Sequence, residues 1–161
     1  MSVRPADIRT HLQRLLTEES VQLGRLQELL RSEAEVLRGD DVAAIERVGS
    51  ERHDCTSQLT RLDAERRDLC RMVAPGGGRS DFDQLLRWCD VDGELRTRWL
   101  TNLDLARSCK EHNDRNGAVV SVKLNHVHKL LTALRGGGSS PVYAPGARGA
   151  AGFAPRELGR A

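Results

Sequence analysis

Leucine recurs at steps of three and four residues along the start of this chain, and no other sequence feature constrains the fold as strongly. This spacing places the leucines on one face of an α-helix, while charged residues such as Glu18, Arg25 and Glu35 fall on the opposite face. We therefore expect a first helix from about Ala6 to Arg38. Its apolar stripe consists of Leu12, Leu15, Leu16, Leu23, Leu26, Leu29, Leu30 and Leu37.

A second stripe with the same period follows a short Gly-Asp-Asp segment. Gly39 suits a left-handed cap at the end of the first helix, and Asp40 or Asp41 can cap the next one. The second helix should end near Val73, because the Pro-Gly-Gly-Gly run at 75–78 cannot continue it. Two helices of about 33 residues each, joined by a tight turn, indicate an antiparallel hairpin. The second stripe consists of Val42, Ile45, Val48, Cys55, Leu59, Leu62, Leu69 and Met72.

A third long helix is predicted from about Glu94 to Arg135, after a short helical stretch at 81–89 and a bend at 90–93. Its stripe has coiled-coil spacing, so the fold class is all-α: an elongated antiparallel helical bundle or coiled coil of three long helices. The stripe consists of Leu95, Trp99, Leu103, Ala106, Cys109, Asn113, Asn116, Val120, Leu124, Val127, Leu131 and Leu134.

The last 26 residues differ in composition from the rest, with seven Gly, three Pro and six Ala between positions 136 and 161. Such a segment cannot bury enough apolar surface to offset its ordering entropy. We therefore expect two regions, a helical domain at 1–135 and a flexible C-terminal tail at 136–161. The only tyrosine, Tyr143, lies in this tail.

The apolar face of the third helix broadens towards its end, where it covers an arc of roughly 200°. A three-helix bundle uses little more than about 100° of each helix, so the excess predicts a second contact surface for another amphipathic helix. The alternative is that two flanking helices bury the whole arc. Lys123 interrupts the arc, and its apolar members are Val119, Val120, Val122, Leu124, Val127, Leu130, Leu131 and Leu134.

Asn113 and Asn116 lie on the seam of the same helix, beside Gly117. A buried Asn lowers stability but fixes register and the choice of partner. The alternative is that Asn-Gly is a weak point or a kink in a long helix.

Charge and composition argue against several other classes of protein. Lys and Arg number 25 against 23 Asp and Glu, and these charges are interspersed, which does not indicate a nucleic-acid partner. The sequence has neither a run of eighteen apolar residues nor the apolar segment of a signal peptide, so we expect a cytoplasmic protein without membrane insertion. Its four cysteines form no CxxC pair and should be free thiols that pack as small apolar residues.

No residue pattern predicts catalysis, a metal site or a cofactor. His126 and His128 are two positions apart, so on a helix they point in nearly opposite directions. The loop at 75–80 lacks the Gly-Lys-Ser/Thr ending of a phosphate-binding loop. A helical phosphotransfer protein remains an alternative, with His53 or His112 as the modified residue. We expect that the chain is not an enzyme.

One segment carries a family resemblance. Residues 109–117 read Cys-Lys-Glu-His-Asn-Asp-Arg-Asn-Gly, residues 130–136 read Leu-Leu-Thr-Ala-Leu-Arg-Gly, and residues 143–146 read Tyr-Ala-Pro-Gly. Together with the leucine-rich start, they resemble the FlgN family of flagellar type III export chaperones. The resemblance extends over essentially the whole chain and is specific between positions 109 and 146.

The resemblance implies a chaperone that binds C-terminal amphipathic helices of hook-associated proteins, which form the hook–filament junction. It would keep these clients unassembled and deliver them to the type III export gate. The implied partners are these clients and the cytoplasmic domain of the membrane protein that forms the gate, with Tyr143 as the docking residue. The export ATPase complex and the oligomeric state are left open. The implied client-binding residues are Asn113, Asn116, Val119, Val120, Val122, Leu124, Val127, Leu130, Leu131 and Leu134.

A second function remains in competition: a structural coiled-coil subunit of an export apparatus, or a self-assembling helical linker. Such a protein would use the same apolar stripe to bind copies of itself.

Overall fold

The computed structural model describes residues 4–73 and 79–135, and this part of the chain is helical apart from short turns. The all-α prediction is confirmed. Within the described ranges there are three long helices and one short helix, and the short one lies where the sequence predicts a helical stretch at 81–89. The helices are α1 (Pro5–Val36), α2 (Val42–Val73), α3 (Arg79–Cys89) and α4 (Glu94–Leu134).

Contacts within the chain divide it into two units, residues 1–124 and residues 125–161. The first unit contains α1, α2, α3 and most of α4. Residues 125–135 are the described part of the second unit. The predicted tail at 136–161, with Tyr143, lies outside the described residues. Within the described ranges, no helix combines the length and the apolar character needed to cross a membrane.

Helices α1 and α2 run in opposite directions. Pro5 begins α1, where its missing N–H and fixed φ suit a first helical position. Asp41 caps α2, since its Oδ1 accepts a hydrogen bond from the Ala44 N–H at 3.0 Å, as its position in the sequence predicts. The Cys55 thiol of α2 donates to the carbonyl oxygen of Gln22 in α1 at 3.2 Å.

The predicted cap at Gly39 is wrong. Helix α1 ends at Val36, and Leu37 follows with a helical φ of −69°. Arg38 and Gly39 then donate backbone hydrogen bonds to the carbonyls three residues earlier, Glu35 and Val36. This tightened turn satisfies the last carbonyls, so no left-handed residue is required.

Gly93 has the positive φ instead. Gly93 lies in the turn between α3 and α4 with a φ of 75°. No other glycine that the structure describes has a positive φ. The Asp90 carboxylate caps α4 by accepting the N–H groups of Leu95 at 3.1 Å and Arg96 at 2.9 Å. Asp92 accepts from Arg9 of α1 at 2.7 Å, which ties the start of α4 to α1.

The main apolar core lies where α3 packs against the open end of the α1–α2 hairpin and the start of α4. Arg66 of α2 is stacked on two aromatic rings there, 5.1 Å from the Phe82 centroid and 4.3 Å from the Trp99 centroid. This core contains the early part of α1, the late part of α2 and the first turn of α4. Its buried members are Ile8, Leu12, Leu15, Leu16, Leu62, Leu69, Phe82, Leu85, Leu86, Cys89 and Leu95.

Candidate binding surface

Three residues of α4, seven positions apart, donate to backbone carbonyls of α1. Asn102 Nδ2 bonds to Leu16 O at 2.9 Å, Cys109 Sγ to Leu23 O at 3.5 Å, and Asn116 Nδ2 to Leu30 O at 2.9 Å. Each pair is separated by 86 positions in the sequence, so α4 runs parallel to α1 along this row. Because an Asn amide bonds at only one height along a helix, this row sets the register of α4 on α1.

Asn116 belongs to a polar network that links three helices. Its Nδ2 also donates to the Glu33 carboxylate at 2.8 Å, and Glu33 lies 3.5 Å from the Arg52 guanidinium of α2. Arg52 in turn donates to Asn113 Oδ1 at 2.9 Å. The structure thus places Asn116 in a buried contact with α1, at 6% exposure, while Asn113 is exposed.

Asn102 is a structural contact in this row that the predicted apolar stripe does not include. It is almost fully buried, and its amide also donates to Glu19 Oε2 at 2.9 Å. A search for apolar residues at helical spacing misses Asn102 because its side chain is polar. A signal for it was present: Leu95, Asn102, Cys109 and Asn116 follow one another at steps of seven.

Lys123 continues the row and explains the break in the apolar arc. Its ammonium group donates to Gly39 O at 2.6 Å and lies 3.4 Å from Asp40 Oδ1, in the turn between α1 and α2. A carbonyl at the end of a helix carries a partial negative charge, so a lysine is favoured there. Lys123 is therefore a contact to the hairpin turn.

The apolar residues of α4 that surround and follow Lys123 are exposed. The four in the first unit are Val119, Val120, Val122 and Leu124, with exposures from 39% to 69%. At the offset of 86 positions, Val36, the last residue of α1, corresponds to position 122 of α4. Leu124, the last apolar residue of the first unit, therefore lies beyond the end of α1 at this offset.

In the second unit, every described residue, 125–135, is exposed. Its apolar side chains have exposures from 44% to 82% and recur at helical spacing. They therefore form one apolar face of this part of α4. These residues are Val127, Leu130, Leu131 and Leu134.

The side chains that could bind a metal or react chemically are dispersed over the described helices. Within residues 4–73 and 79–135, no group of three or more His, Cys, Asp or Glu side chains could hold a metal ion. The four cysteines are free; Cys70 is half-buried, and Cys55, Cys89 and Cys109 are buried. His53 is exposed and His112 is half-buried.

A helical protein with an uncovered apolar face on its last helix has the type of surface that binds another amphipathic helix. A family model described as FlgN protein matches residues 8–151, most of the chain. The chain therefore belongs to the FlgN family, a family of flagellar export chaperones. The curated proteins and the solved structures gave no match.

Proposed function

We propose that this chaperone binds C-terminal amphipathic helices of hook-associated proteins on the exposed apolar face of α4. The single observation that carries the proposal is the exposure of this face. Asn113 is kept as a polar contact at the edge of this face. Asn116 is omitted because its amide already donates a hydrogen bond to Leu30 O of α1. The proposed contact residues are Val119, Val120, Val122, Leu124, Val127, Leu130, Leu131 and Leu134.

The energetics suit a carrier that must later release its client. Covering about 600 Å² of apolar surface contributes on the order of 15 kcal/mol before the costs of association. Loss of rotational freedom and ordering of the client helix offset most of this. The net affinity is moderate, which protects the apolar stripe of the unassembled client and still permits transfer.

The test uses two substitutions in the second unit. Val127→Asp combined with Leu131→Asp puts two carboxylates on the apolar face, and we expect at least a tenfold loss of affinity for a purified hook-associated protein, measured by calorimetry. The fold should persist, because both side chains are already exposed. The charge-matched control is Asn125→Asp with Thr132→Asp, which lie on the opposite side of α4 at 100° per residue.

Unchanged affinity in the Val127/Leu131 variant would refute the proposed surface. A collapse of helicity in that variant would also refute it, since these residues would then belong to the core.

Delivery to the export gate is the second part of the proposal. The family assignment supports a cytoplasmic chaperone that keeps its client unassembled and brings it to the cytoplasmic domain of the gate protein, with Tyr143 as the docking residue. Tyr143→Ala should then leave client affinity unchanged and weaken binding to that domain. Equal affinity of both forms for the gate domain would contradict the role of Tyr143. The export ATPase complex is a further candidate partner in the same assay.

The competing function, a structural coiled-coil subunit, uses the same exposed face. An apolar α4 face of this kind can also pair with a second copy of the chain. Sedimentation equilibrium separates the two functions. A stable homo-oligomer that dissociates on Val127→Asp/Leu131→Asp substitution would favour the structural subunit.

A further inference from the structure

A groove of about 430 Å³ lies between α2 and α4, beside the middle of α1. Leu23, Leu26 and Leu30 of α1 contribute apolar side chains to it, and Ala106 and Cys109 contribute from α4. A helix is about 10 Å across, so this volume takes the side chains of one helix face rather than a whole helix. It also falls in the size range of clefts that bind ligands.

The groove is open because small residues line both of its outer helices. Ala106 is on the α4 side and Gly49 is on the α2 side. A Cβ atom added at Gly49 would meet nothing within 4 Å. Gly49 is half-buried in the first third of α2, where glycine lowers helix stability relative to alanine. Its missing side chain leaves room for one from a partner.

The rim of the groove is positively charged. Arg52, His53 and Lys110 line it, and its described lining residues include no carboxylate. Each permanent charge pairs with one carboxylate outside the lining, Arg52 with Glu33 at 3.5 Å and Lys110 with Asp114 at 2.7 Å. A guanidinium carries five N–H donors and an ammonium three, so each can bind a further acceptor. The rim therefore favours an occupant with acidic residues beside its apolar ones.

Arg52 bridges the two outer helices through a replaceable contact. Its Nη1 donates to the neutral amide oxygen of Asn113 at 2.9 Å. A carboxylate from an incoming helix is a stronger acceptor for a guanidinium than an amide, because the hydrogen bond is then assisted by charge. An acidic side chain can thus displace Asn113 and hold a partner over the groove.

We propose that this groove is a second client-binding site, which receives one apolar face of a client helix and pairs an acidic residue of that helix with Arg52 and Lys110. The proposal rests on the proposed function, since the occupant is the client. The α4 side of the groove also continues along the helix: Ala106, Asn113 and Val120 are seven positions apart, and Val120 is exposed.

Filling the groove from Gly49 tests this directly. Gly49→Leu should raise the melting temperature, because leucine has the better helix propensity and its Cβ has space. The same variant should weaken binding of a purified full-length hook-associated protein at least tenfold. Gly24→Leu on α1 is the matched control: its Cβ also meets nothing within 4 Å, but Gly24 does not line the groove. Its affinity should equal that of the unmodified chain.

Ala106→Leu fills the groove from the opposite side and should reproduce the loss of affinity. If both leucine variants bind the client as the unmodified chain does, while Val127→Asp/Leu131→Asp does not, the groove is not a client site and the proposed function stands. If the unmodified chain does not bind the hook-associated protein, the proposed function fails and the groove proposal with it. A change in the sedimentation mass of Gly49→Leu without client would assign the groove to a second copy of the chain and overturn the proposal.

Discussion

The amide of Asn116 donates to the Glu33 carboxylate across the α1–α4 contact at 2.8 Å. The Glu33 side chain is only 11% exposed, so it has little access to water as an alternative partner. The corresponding pair earlier in the two helices, Asn102 with Glu19, differs because Glu19 is less buried. The two asparagines occupy equivalent positions but should differ in energetic importance.

Asn116→Leu is expected to lower the free energy of unfolding by about 1–3 kcal/mol, because it leaves a buried carboxylate without its amide donor. Asn102→Leu should lower the free energy of unfolding by less, because Glu19 can turn towards water. The replacement also removes the buried Asn102 Oδ1, which has no hydrogen-bond partner among the described residues. Urea unfolding followed by circular dichroism measures both. Equal losses in the two variants would contradict the distinction.

Asp92 should contribute to stability in a pH-dependent way. The Arg9 guanidinium, and then the Glu94 backbone N–H, lower the pKa of the Asp92 carboxyl below its usual 3.8. Because this pKa is lower in the folded than in the unfolded chain, the ionised carboxylate stabilises the fold above the usual pKa. That contribution is lost as the pH falls through the lowered value.

Asp92→Asn should accordingly reduce the melting temperature at about pH 7, and the difference should shrink as the pH falls below the usual pKa of the carboxyl. Thermal unfolding at several pH values measures this effect. Asp104→Asn is the control, since Asp104 pairs with Arg107 one turn away on an exposed face of α4. A difference for Asp92→Asn that is constant with pH would contradict the pairing with Arg9.

The four thiols should react slowly in the folded protein. Burial raises the pKa of the Cys55, Cys70, Cys89 and Cys109 thiols, so little reactive thiolate forms near neutral pH. Cys70 is the least buried, so iodoacetamide should modify it first, and the others should react mainly in denaturant. Peptide mass spectrometry over time measures the order. If all four cysteines are modified in native buffer at the rate of an exposed thiol, the prediction of slow reaction is wrong.

The sequence predicts the long helices well because leucine periodicity and caps act locally. The second helix ends at Val73 as expected, and Asp41 caps its start. The turn at Gly39 is not predicted correctly, because the choice between a left-handed cap and a tightened turn depends on how the next helix packs. Gly93, in a bend that the sequence does predict, takes the positive φ instead.

The exposed face of α4 is predictable only in part. An excess of apolar residues can be counted from the sequence, but which of them α1 covers depends on the register between two helices far apart in the chain. Asn116 and Lys123 lie within the apolar arc by angle, yet both contact the hairpin. Side chains a few residues later are exposed. The contacts of the row that runs from Asn102 to Lys123, rather than the apolar pattern, separate the two groups.

Hydrogen–deuterium exchange of the full-length chaperone, with and without a purified hook-associated protein, tests the central claim most directly. We predict that the client slows exchange of the backbone amides between positions 119 and 134, because a bound helix excludes water from this part of α4. Unchanged exchange over these positions at a saturating client concentration would contradict the proposed client surface.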